Sequence, residues 1–135
     1  MSKNRTGYSG KPLYQKLGIK ETFNCAFIAA PEYYSDLLEC PFKIISNKAP
    51  FDFIHVFAKE RKLLEKYIQS NLGSLKQHGM IWISWPKKAS KVETDITEDI
   101  IREIILPQGL VDIKVCSVST IWSGLKVVIR KENRK

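Results

Sequence analysis

Metal-ligating and redox-active side chains are scarce in this 135-residue chain, which has three cysteines, two histidines and two methionines. Cys25, Cys40 and Cys116 share no Cys-x-x-Cys spacing and no clustered histidine, so the chelate geometry that zinc requires is missing and reduced thiols are expected. The seven glycines include no P-loop; the amides of Gly7-Tyr8-Ser9-Gly10-Lys11 could cradle a phosphate, and a turn and helix cap is the favoured reading. Gly7-Tyr8-Ser9-Gly10-Lys11 lacks the Gly-x-x-x-x-Gly-Lys-Ser/Thr spacing and follows no strand, which excludes a P-loop. No hydrophobic run approaches the length of a membrane span, and the polar, basic amino-terminal stretch has no apolar core of a secretory signal, so a cytoplasmic location without membrane contact is expected. No serine stands in a nucleophile-elbow context or at a spacing that pairs it with a histidine and an acid. On these grounds no catalytic residue, metal or cofactor is expected.

Apolar material is plentiful. Hydrophobic residues make up 44% of the chain, including three Trp, five Tyr and six Phe, enough to offset chain entropy in one compact domain over residues 1–135. Lysine and arginine outnumber acids by 22 to 14, for a net charge of +8. Residues 1–20 carry five of those basic groups and no acid, and residues 126–135 carry five against Glu132. The two ends hold +9, so residues 21–125 net −1. That distribution argues against a basic face over the domain, and nucleic acid is not the expected partner. Residues 1–10 and 131–135 are expected as flexible, solvated basic ends.

Hydrophobic periodicity sets the order of elements. Ser9 or Gly10 is expected to cap a short helix with Pro12 in its first turn, Leu13 and Leu17 on one face, and Gly18 as a left-handed stop. Residues 23–30 read as a strand covered on both faces, 31–38 as a helical piece, 42–46 as a second strand and 51–58 as a third. Residues 60–77 form an amphipathic helix closed by His78-Gly79, with His78 in its last turn, and 80–85 a fourth strand stopped at Pro86. Asp95 and Glu98 have capping-box spacing on a helix through Leu106, and Glu93 and Asp99 fit helix-start acids better than a metal site. Residues 110–119 and 122–130 read as a half-exposed hairpin in which Val111, Ile113 and Val115 oppose Asp112 and Lys114. Strands separated by helices of this length imply right-handed crossovers. The expected fold is therefore α/β, a Rossmann-like three-layer sandwich with a mostly parallel sheet and an antiparallel carboxyl-terminal hairpin edge.

In open parallel sheets, ligands bind beyond the carboxyl ends of the strands. This rule selects Trp85-Pro86-Lys87-Lys88, a rigid exit that could hold ammonium groups near an anion. It also selects the turn Gly7, Tyr8, Gly10, Lys11, whose amides open the first helix, and Glu32 after the first strand. His55 shares a face with Phe51, Phe53 and Phe57 and reads as a satisfied core histidine. Trp122 reads either as a hairpin packing residue or as a partner anchor.

Several segments together carry a family resemblance: Gly7-Tyr8-Ser9-Gly10-Lys11-Pro12-Leu13, Lys16-Leu17-Gly18-Ile19-Lys20, Trp85-Pro86-Lys87-Lys88-Ala89-Ser90, Thr94-Asp95-Ile96-Thr97-Glu98-Asp99, Gly109-Leu110-Val111-Asp112-Ile113-Lys114-Val115-Cys116 and Trp122-Ser123-Gly124-Leu125-Lys126. In combination they resemble small bacterial proteins grouped as domain of unknown function 3052. That resemblance implies a bacterial cytoplasmic protein and no particular activity. In element order the chain also resembles S-adenosylmethionine-dependent methyltransferases, through Leu17-Gly18-Ile19-Lys20 before the first strand, Pro50-Phe51-Asp52-Phe53-Ile54 entering the third and Leu75-Lys76-Gln77-His78-Gly79-Met80 before the fourth. Phe27-Ile28-Ala29-Ala30-Pro31-Glu32 stands where that family has a glycine-rich loop, and Asn47 where it has a ribose-binding acid. The resemblance thus implies a shared framework with a degraded or repurposed cofactor site.

The reading that follows is a non-catalytic domain binding a small anionic ligand or a protein partner at the strand carboxyl edge. Two alternatives stay open: a methyltransferase-like enzyme using S-adenosylmethionine, and a nucleic-acid accessory protein using its basic termini. The hairpin's outer edge also offers a second copy a place to pair, as in a homodimer.

Overall fold

A computed structural model describes residues 10–135. Its five strands are β1 (Cys25–Ile28), β2 (Phe51–Phe57), β3 (Leu75–Pro86), β4 (Leu110–Ser117) and β5 (Trp122–Ile129), and its α-helices are α1 (Leu13–Leu17), α2 (Tyr34–Leu38), α3 (Arg61–Asn71) and α4 (Glu98–Ile105). The sheet order is β1-β2-β3-β5-β4. β1, β2 and β3 run parallel, while β5 pairs antiparallel with β3 and with β4. This is the Rossmann-like sheet with an antiparallel hairpin edge that the sequence predicts.

Alternating side chains divide the interior into two cores. Ile54, Val56, Ile81, Ile83, Leu125 and Val127 pack beneath Leu64 and Ile68 of α3 and Ile101 and Ile105 of α4. Phe53, Phe57 and Trp82 meet Leu13 and Leu17 of α1 and Tyr34, Leu37 and Leu38 of α2 on the other face. Gly18, at φ 84, ends α1 as expected, with the Ile19 N–H returning to the Tyr14 carbonyl. The N-cap of α1 is Pro12, not Gly10, and Ser9 lies outside the described residues.

Residues 42–46 are not a strand. Only Ile45 bridges Asn24, and β1 is the edge of the sheet. The loop hangs instead on the Asn24 side chain, which donates to the Lys48 and Pro50 carbonyls and accepts from the Asn47 N–H. These side-chain bonds replace the ladder that a short segment between Pro41 and Pro50 does not sustain.

The helix expected over 60–77 stops at Asn71, and a 3-10 turn at Leu72–Ser74 leads into β3. Leu72 and Leu75 suit both periods, but Gly73 disfavours helix and Leu75 pairs with Phe51. His78 is consequently an exposed strand residue rather than a helix-terminal one. Gly79 serves a close approach: a Cβ there would lie 3.0 Å from the Phe51 carbonyl oxygen and 2.7 Å from Leu75 Cδ1.

Helix capping is also redistributed. Thr97 caps α4 by accepting from the Ile100 N–H at 3.2 Å. Asp95 instead accepts from the Arg61 N–H at 2.7 Å, at the start of α3. In β4 an irregularity between Asp112 and Lys114 breaks the expected alternation, turning Asp112 to Arg102 of α4 and leaving Ile113 and Val115 about half exposed. Residues 131–135, predicted as a flexible end, contain a 3-10 turn, and the Lys135 N–H donates to Gln77 Oε1.

Candidate functional site at the carboxyl ends of the strands

Three cavities follow one another along the carboxyl edge of the parallel strands. The first, of about 350 Å³, lies beyond β1 and β2. The second, of about 460 Å³, shares Lys59 and Glu60 with it. The third, of about 720 Å³, lies beyond β3 and shares Glu93 and Thr94 with the second.

The largest cavity is framed by the β3 exit and the first turn of α4. Trp85 is buried, and the Lys87 N–H donates to the Ile121 carbonyl at 2.8 Å, which fixes the direction of the exit. A 3-10 turn at Lys88–Ser90 follows, closed by Ser90 Oγ donating to the Lys87 carbonyl and accepting from the Val92 N–H. This turn presents Lys88 and Lys91 on exposed backbone, Lys91 in the left-handed region at φ 61. On the opposite wall, Arg102 binds Glu98, Asp99 and Asp112, each at 3.2 Å. Two acids lining the cavity are thereby neutralised locally, whereas Lys88 and Lys91 make no ion pair among the described residues. The Lys87 ammonium donates to Ser117 Oγ at 2.6 Å. Its pKa is lowered by burial and then by the neighbouring Lys16.

The smallest cavity is lined by Pro31, Phe57, Leu63, Tyr67 and Trp122, with Ala29 at φ 57 in the turn that leaves β1. Trp122 is buried, stands edge-on to Phe57 and donates its indole N–H to the Tyr33 hydroxyl at 3.0 Å. Trp122 is therefore a packing residue whose ring also walls this cavity.

Of the residues selected from the sequence, Trp85, Lys87 and Lys88 share one cavity. Gly10 and Lys11 are exposed ahead of α1 and are not among the lining residues; α1 instead sends Lys16 to the Ser117 carbonyl, beside Lys87. Gly7 and Tyr8 lie outside the described residues. Glu32 is exposed in the turn after Pro31. Thr97, Arg102 and Ser123 also line the largest cavity, and sequence spacing gave no signal for them because they meet only through the β3–β5 pairing and the α4 crossover.

A second constellation is fully interior. His55 is hydrogen-bonded through Nδ1 to the Tyr34 hydroxyl at 2.6 Å and through Nε2 to Ser84 Oγ at 2.8 Å. Burial lowers its pKa to about 3, so the imidazole is neutral, and burial likewise raises that of Tyr34. A serine does pair with a histidine here, but both side chains are wholly buried and the third member is a phenol, so the group holds the core together as expected of His55. Among the described residues, no three His, Cys, Asp or Glu side chains cluster as a metal site, and no helix is long and apolar enough to cross a membrane.

No protein-family model and no curated protein matches the chain. Among solved structures it is similar to a SAM-dependent methyltransferase from Aquifex aeolicus, with 14% identity over 85% of this chain and 86% of that one and a TM-score of 0.58. It is also similar to a ribosomal protein L11 methylase from Lactobacillus delbrueckii subsp. bulgaricus, with 12% identity over 87% and 75% and a TM-score of 0.55. A third likeness is to a S-adenosylmethionine-dependent methyltransferase from Clostridium acetobutylicum, with 12% identity over 78% and 74% and a TM-score of 0.52. At these identities the likeness establishes the architecture: the chain has a methyltransferase-like Rossmann fold.

Proposed function

We propose that the chain is a non-catalytic binding domain that takes a small anionic ligand in the cavity beyond β3. The observation that carries this reading is the joint placement of Trp85, Lys87 and Lys88 on one wall of a cavity of about 720 Å³. A wall that carries the Lys87 and Lys88 side chains beside the Trp85 indole suits a carboxylate or phosphate attached to a small organic body. Arg102 supports the same reading by occupying the carboxylates of Glu98 and Asp99, which would otherwise repel such a ligand. Segments 85–90, 94–99 and 122–126, which carry the likeness to domain of unknown function 3052, all contribute to this cavity. Membership of that bacterial family, and the cytoplasmic setting it implies, belong to the same proposal. A thermal-shift panel of nucleotides, phosphosugars and carboxylates tests the reading. A saturating ligand should raise the melting temperature, and Lys88→Ala should reduce the shift. A flat response across the panel would contradict it.

The fold likeness favours a second reading, a methyltransferase-type enzyme, but the residues present do not fit S-adenosylmethionine. Ala29, Ala30 and Pro31 put side chains where a glycine turn would admit the cofactor's amino-acid end. Among the described residues β1 is the sheet edge, so no strand beyond it delivers Asn47 or an acid to a ribose. Calorimetric titration with S-adenosylmethionine should give no binding heat, and saturable heat would favour the enzyme.

A further inference from the structure

The sheet face beside α1 carries an arrangement of charge that folding alone does not favour. Lys114 of β4 and Lys126 of β5 are direct cross-strand partners, and like charges so placed repel. Neither makes an ion pair among the described residues. Lys126 is also in register with Trp82 of β3, which places the pair on the face that α1 and α2 cover. Further along the hairpin, Lys16 and Lys87 converge on Ser117, at its carbonyl and its hydroxyl respectively. Lys16, Lys114 and Lys87 all act on the Cys116 thiol, pulling its pKa down against the upward effect of burial. The pKa of Lys126 is lowered by burial and by Lys114, and that of Lys87 by burial and by Lys16. Two pairs of ammonium groups, Lys16 with Lys87 and Lys114 with Lys126, therefore stand close enough to disfavour one another.

Lys87, like Lys114 and Lys126, makes no ion pair among the described residues. Arg61 and Arg102 gather Glu65, Glu103, Glu98, Asp99 and Asp112 on the α3–α4 side of the sheet. The sum over residues 21–125 leaves out Lys16 and Lys126, two members of this row, which count with the basic ends. From the Lys87 pairing with Ile121 to Lys126 the row extends over five residues of β5, or about 17 Å. A single phosphate cannot reach both ends, whereas one strand of a duplex presents a charge about every 3.4 Å along its axis. The row also leads toward Arg130, Lys131, Arg134 and Lys135, the last beside Gln77 at the start of β3.

We propose that the α1-side face of the β4–β5 hairpin is a nucleic-acid backbone contact, in which Lys16, Lys87, Lys114 and Lys126 follow successive phosphates without reading bases. A linear polyanion relieves the mutual repulsion of the row and follows its narrow, extended shape. This surface is separate from the anion cavity except at Lys87, which the test therefore leaves intact.

The test is fluorescence anisotropy of the full chain with fluorescein-labelled single-stranded and duplex oligonucleotides of mixed sequence over a salt series. Log affinity should fall linearly with log salt, and the Lys114→Ala/Lys126→Ala double variant should reduce the slope by roughly 1.4–1.8. A Lys62→Ala/Lys66→Ala control on α3 should leave the slope unchanged. The double variant should melt no lower than wild type, because it removes a repulsive pair; Lys16→Ala provides an independent single-site slope change. Absence of binding at low salt, or an unchanged slope in the Lys114/Lys126 variant, would overturn the proposal. Binding to phosphatidylserine vesicles without binding to either oligonucleotide would overturn it in favour of a membrane surface.

Discussion

Trp82, at the centre of the sheet, donates its indole N–H to the carbonyl of Leu17 at 2.8 Å, in a buried hydrogen bond that anchors the end of α1 to β3. Trp82→Phe keeps most of the apolar volume and orphans that carbonyl, so urea unfolding should show a loss of about 1–3 kcal/mol. Trp82→Ala should cost about 3–5 kcal/mol through the cavity it leaves. Equal stability of Trp82→Phe and wild type would show that the bond contributes nothing net.

Asp95 and Thr97 cap different helices although two residues apart. Asp95→Ala should weaken α3 and Thr97→Ala should weaken α4, each by about 1 kcal/mol in denaturant unfolding. Amide hydrogen exchange distinguishes the two, since the first substitution should increase exchange at the start of α3 and the second at the start of α4.

His55 sets the acid limb of stability. Its pKa is lowered to about 3 from an ordinary 6.5, so the unfolded chain takes up the proton first as pH falls. The stabilisation is complete above the unfolded value and is lost between about pH 6.5 and 3, with a slope approaching 1.4 kcal/mol per pH unit. His55→Asn should be less stable at neutral pH and should show a shallower slope over that window. In alkali the Cys25 thiol, raised from 9.0 to about 12 chiefly by burial, should make stability fall as pH rises through that range.

Gly79→Ala should destabilise the protein by about 1–3 kcal/mol, because the atoms its Cβ meets include the Phe51 and Asp52 carbonyl oxygens, which belong to the neighbouring backbone and cannot rotate away. Thermal melts of the variant against wild type provide the comparison.

Strong periodicity carried most of the fold. The 51–58 and 80–85 runs and the Pro86 stop are readable because uninterrupted apolar strands between punctuating residues have few alternatives, and the Gly18 stop because a left-handed turn selects glycine. Residues 72–79 were misread because Leu72 and Leu75 satisfy both helical and strand spacing and the His78-Gly79 pair imitates a helix end; the true role of Gly79, close approach to β2, exists only after pairing. The 42–46 segment looked like a strand by composition, yet Asn24 supplies side-chain bonds where a ladder was expected. At the candidate site, the Trp85-Pro86-Lys87-Lys88 exit was legible because its residues are consecutive. Arg102, Thr97 and Ser123 were not, since long-range crossovers bring them there, and the Ser84–His55–Tyr34 group likewise depends on register between neighbouring strands.

The most direct test of the anion site is a 15N-resolved NMR titration of the full chain with inorganic pyrophosphate. The site predicts saturable shifts at the amides of Lys87, Lys88 and Lys91 and in the first turn of α4 at Glu98 and Asp99, diminished in Lys88→Ala. Saturable shifts confined to residues outside the β3 exit and α4, or none at all, would contradict it.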